Sequence, residues 1–179
     1  MPPSSDLSLR ERLLIVPQVG TVTWIGVRPA HDAPMLALDE AEIIEGRGVA
    51  GDRAAKGRPF GKRQVTLLQH EHLPVIAALT GRATVEPSRV RRNVVVAGVN
   101  LLALKGLRFS IGDEVVLEGT GPCEPCSKMD GALGEGGFQA MRGHGGITAR
   151  VVRGGIVRIG ASVRALGAAI EVNRSNAPR

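Results

Sequence analysis

Aromatic residues are scarce in this 179-residue chain: Trp24, Phe60, Phe109 and Phe138 are all it has, and there is no tyrosine. A surface that stacks bases or sugars on aromatic platforms is therefore disfavoured. Cysteine is nearly as rare, with Cys123 and Cys126 alone. Two thiols in a chain of this length do not make a secreted disulfide scaffold. No run approaches the roughly 18 apolar residues that span a bilayer. The longest apolar stretch near the start, Leu13 to Val16, follows Asp6 and Glu11 and lacks the core of a secretory signal. These absences lead us to expect a cytoplasmic protein in which both thiols are free for chemistry.

Lysine is the other shortage. The 23 basic residues comprise 4 Lys and 19 Arg, set against 17 acidic residues. Arginine presents a planar fork that holds phosphate or carboxylate in fixed geometry, whereas diffuse nucleic-acid or membrane binders more often carry lysine runs. A GC-rich genome produces the same bias, so composition alone leaves both explanations open. Gly and Pro are plentiful, at 24 and 11 residues. That share interrupts helices and favours short strands joined by turns.

Residues 1–12 and 173–179 are polar, and we expect them to be flexible. The interval 13–172 contains no linker, repeat or low-complexity tract and reads as a single domain. Strand signals fall at Val19 to Val27, Ile43 and Ile44, Gln64 to Leu68, Asn93 to Ala97, Arg108 to Ile111, Val115 to Gly119, Ile147 to Val152 and Ile156 to Val163. Glu71 to Leu79 reads as the clearest helix, with Pro74 in its first turn and Gly81 beyond its end. Asn100 to Leu104 reads as a helical turn. About eight strands with one or two short helices do not alternate as βαβ units, which predicts a mostly β, barrel-like fold.

The segment Gly121-Pro-Cys-Glu-Pro-Cys-Ser127 is the sharpest chemical feature. Two prolines restrict the backbone around two thiols and a glycine frees the turn before them, as the placing of a metal ligand or a thiolate nucleophile requires. Zinc would need further ligands, and His31, His70, His72 and His144 are not spaced as a second pair. Cys-Glu-Pro-Cys also resembles the thioredoxin motif, although the glycines at 131, 134, 136 and 137 do not suit the long helix that follows it there. A redox-sensing dithiol of Cys123 and Cys126 on another fold, regulating partner binding, stays open as an alternative.

Around this segment, Met141-Arg-Gly-His-Gly-Gly-Ile-Thr-Ala-Arg150 offers backbone N–H groups, Arg142, His144, Gly145 and Arg150 to an anion. Gly51-Asp-Arg53, Lys62 with Arg63, and Arg89-Val-Arg-Arg-Asn93 add cations before strands, where side chains can be directed to one barrel mouth. If Arg91 and Arg92 both lie in extended backbone, only one of them faces the site.

Taken in order, Gly51-Asp-Arg53, Arg63-Gln-Val-Thr-Leu67 with Glu71, Arg91-Arg-Asn-Val94, Leu104-x-Gly106, Phe109-x-Ile-Gly112, Gly121-Pro-Cys-x-Pro-Cys126, and Gly155 with Ile159-Gly160 resemble the MOSC domain, the family named for the C-terminal domain of molybdenum cofactor sulfurases. The resemblance covers residues 19–166. It implies a β-barrel and a functional cysteine at Cys126, with Cys123 as a possible second thiol. It further implies that Cys126 either carries sulfur as a persulfide or ligates the molybdenum of a pterin cofactor, as in small reductases of N-hydroxylated compounds. Arg53, Arg63, Arg92, Asn93, Arg142, His144, Gly145 and Arg150 are then the expected cofactor-binding residues. A soft thiolate suits molybdenum, and the pterin dithiolene fills other positions, so one cysteine suffices. Neither a fused desulfurase nor a ferredoxin-type cysteine set accompanies these motifs. The expected partner is therefore a separate pyridoxal-phosphate cysteine desulfurase or a separate electron-transfer protein, with membrane and nucleic acid disfavoured.

Overall fold

Alternation builds the wall of the fold. In a computed structural model describing residues 7–168, β7 (Leu107–Ile111), β8 (Val115–Pro122) and β9 (Ile147–Arg153) point Leu107, Phe109, Ile111, Val115, Leu117, Ile147, Ala149 and Val151 into one core. Their intervening residues, such as Arg108, Ser110 and Thr148, stay at least partly exposed, as the two-residue period of a strand requires. The long first strand, β1 (Val19–Val27), changes parity at a bulge between Val22 and Trp24. Val22 and Ile25 can therefore both face inward while Trp24 packs outside.

Two strands are buried without alternation instead, β5 (Val65–Gln69) and β6 (Val94–Ala97). Both of their faces are covered. Val65, Leu67, Val94 and Val96 line the barrel core, whereas Leu68 and Val95 meet a second cluster outside it. That cluster gathers α2 (His72–Leu79) with α3 (Met129–Leu133) and α4 (Gly137–Met141) through Leu73, Ile76, Met129, Leu133 and Met141. α2 joins β5 to β6, which run parallel.

The barrel order is β11 (Ser162–Ala168), β7, β8, β9, β5, β6, β1, closed by pairing of β1 with β11. β2 (Leu36–Leu38) extends the sheet from the far end of β1. β3 (Glu40–Ile44), β4 (Gly48–Val49) and β10 (Gly155–Arg158) form a small separate sheet. No helix among the described residues is long and apolar enough to cross a membrane.

The barrel matches the fold class expected, and differences lie in the connections. Ile156 to Val163 reads as one strand, yet the chain turns at Ile159–Ala161, so that β10 pairs with β3 and β11 closes the barrel. The glycine-rich stretch after the cysteines, which does not suit a long helix, folds into the two five-residue helices α3 and α4, because Met129, Leu133, Ala140 and Met141 have an apolar cluster to enter. Within the segment expected to be flexible, α1 (Leu9–Arg12) forms behind a capping box of Ser8 and Glu11. Residues 1–6 and the expected tail 173–179 lie outside the described residues.

Phe109 and Phe60 should respond oppositely to truncation. Phe109 is fully buried and Phe60 is 75% exposed. In urea unfolding, Phe109→Ala is expected to lose about 3–5 kcal/mol, and Phe60→Ala to stay within about 0.5 kcal/mol of the parent protein.

Candidate functional site

A buried carboxylate organises one side of the site. Asp52 accepts hydrogen bonds from the Arg28 N–H at 2.9 Å, the Ala54 N–H at 2.8 Å and the Asn93 side-chain amide at 2.9 Å. The Arg53 N–H in turn donates to the Arg28 carbonyl at 2.7 Å. Asn93 is fixed from its other side, its Oδ1 accepting from the Thr66 N–H and hydroxyl at 3.1 and 2.9 Å. The end of β1, the turn after β4 and the entry to β6 are thereby locked together through one carboxylate, which sets the backbone beneath Arg28 and Arg53.

Arg92 organises the other side. It is 1% exposed, and it reaches carbonyl oxygens from three separate stretches of chain. Its Nε donates to Gly145 at 2.7 Å, Nη1 to Val90 at 3.1 Å, and Nη2 to Cys123 at 3.1 Å and Glu124 at 3.3 Å. No carboxylate forms an ion pair with it among the described residues, and burial pushes its pKa below the ordinary guanidinium value. Four acceptors in a planar fork suit arginine and no other side chain. The Gly145–Gly146 backbone lies so close that a Cβ on Gly145 would collide with the Cys123 carbonyl, and one on Gly146 with the Leu67 carbonyl. Two loops are therefore stitched to one guanidinium, and the cysteine segment cannot shift without breaking its bonds.

Cys123 is buried, and Cys126 is half-buried beside a cleft of about 210 Å³. Arg28, Arg53, Arg63, Arg91, Arg92 and Lys128 line this cleft with Cys126 and Ser127. Asp32 is the carboxylate in the lining. It is already engaged by Lys128 and by His31, whose Nδ1 lies 2.9 Å away. The cationic surplus is built in. Arg28 and Arg91 each hold a buried Nε with no hydrogen-bond partner among the described residues. Burial, and then repulsion from Arg91, lowers the Arg28 pKa from its ordinary value. An adjoining pocket of about 70 Å³ shares Arg28, Arg63 and Arg91, and Gln64, Thr66 and Asn93 complete much of its wall. Buried guanidinium nitrogens without acceptors favour an anionic guest.

Arg91 departs from the extended conformation expected for it. Its φ of 58° and ψ of 40° place it in the left-handed region at the end of a 3-10 turn, Pro87–Val90. Successive side chains then no longer alternate, and both Arg91 and Arg92 reach the same cleft.

Of the residues singled out from the sequence, Arg53, Arg63 and Arg92 stand around the cleft with Cys126, and Asn93 lines the adjoining pocket. Arg142, His144, Gly145 and Arg150 line neither. The exposed Arg142 bonds the Gln139 side chain at 3.2 Å. His144 turns its Nδ1 to the Ala140 carbonyl at 3.0 Å and packs edge-on against His72, with ring centroids 5.2 Å apart. Arg150 pairs with Glu118 on the neighbouring strand at 2.6 Å. Gly145 acts through its carbonyl on Arg92. The glycines here serve close packing of backbones, which is why the loop supports the cysteine segment from behind. Arg28, Arg91, Ser127 and Lys128 complete the cleft. Arg28 ends the apolar run of β1, a signal shared by many solvated strand ends. Among the described residues, no group of three or more His, Cys, Asp or Glu is placed to hold a metal ion.

The MOSC domain family model matches residues 37–164, most of the barrel and the whole cysteine segment. The chain belongs to the MOSC domain family. Among solved structures, the YuaD protein of Bacillus subtilis superposes with a TM-score of 0.73 at 20% identity, over 84% of this chain and 98% of that one. YiiM from Geobacillus stearothermophilus gives 0.65 at 16% identity, over 82% and 75% of the two chains. YiiM from Escherichia coli gives 0.62 at 18% identity, over 83% and 71%. At these identities the likeness is one of fold. No curated protein sequence matches the chain.

In this MOSC domain Arg92 joins the fold to the site, and its replacement tests that directly. Arg92→Met leaves four carbonyls without their donor, so a loss of about 3–5 kcal/mol is expected in denaturant unfolding. Arg92→Lys should recover little, because a single ammonium cannot span the same acceptors. In the folded variant, Cys123 should become reactive toward a thiol reagent that it resists in the parent protein.

Proposed function

We propose that this MOSC domain holds an anionic, phosphate-bearing pterin cofactor of molybdenum, or carries sulfur on its way to such a cofactor, through Cys126. The observation that carries the reading is a single half-buried thiol facing a cleft with six cationic side chains, two of which hold unpartnered buried guanidinium nitrogens. The residues present fit the group in charge and in donor type. Arg28, Arg63 and Arg91 would hold the phosphate, with Asp52 and Asn93 keeping Arg28 in register, and the Cys126 thiolate supplies one soft ligand. When bound, the cofactor supplies redox and atom-transfer chemistry at molybdenum, consistent with reduction of N-hydroxylated compounds.

In the carrier branch, the Cys126 thiolate attacks the terminal sulfur of a donor persulfide. A new S–S bond forms at Cys126, and the donor leaves as its own thiolate. The donor that fits is a pyridoxal-phosphate cysteine desulfurase. In the metal branch, a separate protein delivers electrons. Six cationic side chains line the cleft beside the sulfur on which both branches depend. Cys123 lies buried behind the Arg92 bonds, so the chemistry is assigned to Cys126. A reducing cytoplasm suits a protein whose two cysteines are both free thiols.

Two measurements on protein made in a cofactor-competent host test this reading: molybdenum content by elemental analysis and persulfide by intact mass. Cys126→Ala should abolish both signals, and Cys123→Ser should retain them. Arg91→Gln, which removes charge-assisted donors worth about 1.5–3 kcal/mol, should weaken cofactor retention by roughly 10- to 100-fold. Absence of molybdenum together with persulfide loading that is unchanged in Cys126→Ala would overturn the proposal.

A further inference from the structure

Residues 53–63, Arg-Ala-Ala-Lys-Gly-Arg-Pro-Phe-Gly-Lys-Arg, join β4 to the approach of β5 and contain five cations and no acidic residue. The segment is ordered through its backbone. Gly57 accepts from the Arg47 guanidinium at 3.2 Å, the Phe60 N–H donates to Gly46 at 2.7 Å, Gly61 accepts from the Gln64 side chain at 2.9 Å, and Lys62 accepts from the Thr120 hydroxyl at 2.6 Å. Its side chains are left unused. Arg53, Lys56, Arg58, Lys62 and Arg63 are exposed, and none makes a side-chain hydrogen bond or ion pair among the described residues. Glu45 and Glu42, on neighbouring β3 and its turn, make no ion pair with them either.

Phe60 sits near the tip, 75% exposed and at a φ of 59°. A bulky residue in the left-handed region costs free energy, and here that conformation lays an aromatic ring over Gly46 with most of its surface open to solvent. An apolar knob rimmed by free cations is the anatomy of a protein-binding hot spot. A nucleic-acid surface would call for several stacking rings, and this segment has one. Both ends of the ridge, Arg53 and Arg63, line the Cys126 cleft, so whatever docks on the ridge lies over its mouth.

We infer that residues 53–63 form a docking ridge for an acidic partner protein, anchored by Phe60 in an apolar notch and steered by the surrounding cations, that exchanges sulfur or electrons with Cys126. The exchange itself rests on the function proposed above, but the docking does not. Charge of this kind mainly raises the rate and salt sensitivity of encounter, and the aromatic anchor supplies dwell time.

Fluorescence anisotropy with three labelled probes tests the ridge on the full chain: an acidic 16-residue peptide of Asp and Glu with one central Leu-Phe pair, the same peptide with Gly-Gly in place of that pair, and a 16-nucleotide oligo-dT. The Leu-Phe peptide should bind most tightly and weaken steeply with salt. Lys56→Glu/Arg58→Glu should reduce its affinity about tenfold or more, and Phe60→Ala should reduce it severalfold while removing its advantage over the Gly-Gly peptide. Melting temperatures identify any variant that fails to fold. Phe60→Ala, which removes a largely exposed ring lying over Gly46, carries the test if the charge reversals do not fold. Cys126→Ala should bind as the parent does, so that failed cysteine chemistry and failed docking are read separately. Equal binding of the two peptides, insensitivity to Phe60 and the charge reversals, or tighter binding of oligo-dT would each overturn the proposal.

Discussion

A guanidinium buried without a carboxylate is costly unless its donors find acceptors, and Arg92 places four of its five N–H groups on main-chain oxygens alone. Those oxygens belong to the 3-10 turn before β6, the cysteine segment after β8 and the glycine loop before β9. The strands bring the three stretches to one end of the barrel, and Arg92 sets their spacing. Cys126 stands at the cleft because the two residues that begin its segment, Cys123 and Glu124, are held by their carbonyls three and two positions earlier. The arrangement also leaves positive charge where a thiolate or a phosphate benefits from it.

Asp52 provides the matching constraint across the cleft. It spends its hydrogen-bonding capacity on backbone and amide donors, leaving the side chains of Arg28 and Arg53 to line the cleft. The result is a rigid frame with mobile-length arginines directed inward, a frame that holds an anion by charge and hydrogen bonds. The shortage of aromatic residues agrees with that mode of binding, since a pterin here would be gripped at its phosphate and its metal end more than stacked on a ring.

Much of the barrel is legible in the chain because its strands are local patterns. Val19 to Val27 is β-branched and bounded by turn residues, and it forms β1 over the same range. Val94 to Ala97, after Asn93, is apolar throughout because both faces of β6 are covered. The helices α3 and α4 are not legible, since five-residue helices between glycines owe their stability to an apolar cluster assembled from distant segments. The site is legible in part for a similar reason. Arg92 and Arg53 are the same residue type beside comparable strands, yet one is sealed beneath two loops and the other is exposed at the cleft rim. Nothing local distinguishes them. Arg91 joins the cleft through a left-handed backbone that an extended reading does not anticipate. The glycines at 145 and 146 mark close backbone approach, which in sequence looks the same as an anion-binding nest.

Arg92 and the cleft arginines place Cys126 in a cationic, anion-selective position. Competitive alkylation measures it most directly: the ratio of the Cys126 rate with iodoacetate to that with iodoacetamide, compared with the same ratio for free cysteine, so that thiolate population cancels. The expected ratio is raised about tenfold or more at low ionic strength, falling with salt and in Arg63→Gln/Arg91→Gln, with Cys123 unlabelled in the folded protein. A ratio at or below that of free cysteine, or one indifferent to salt and to both arginines, would contradict it.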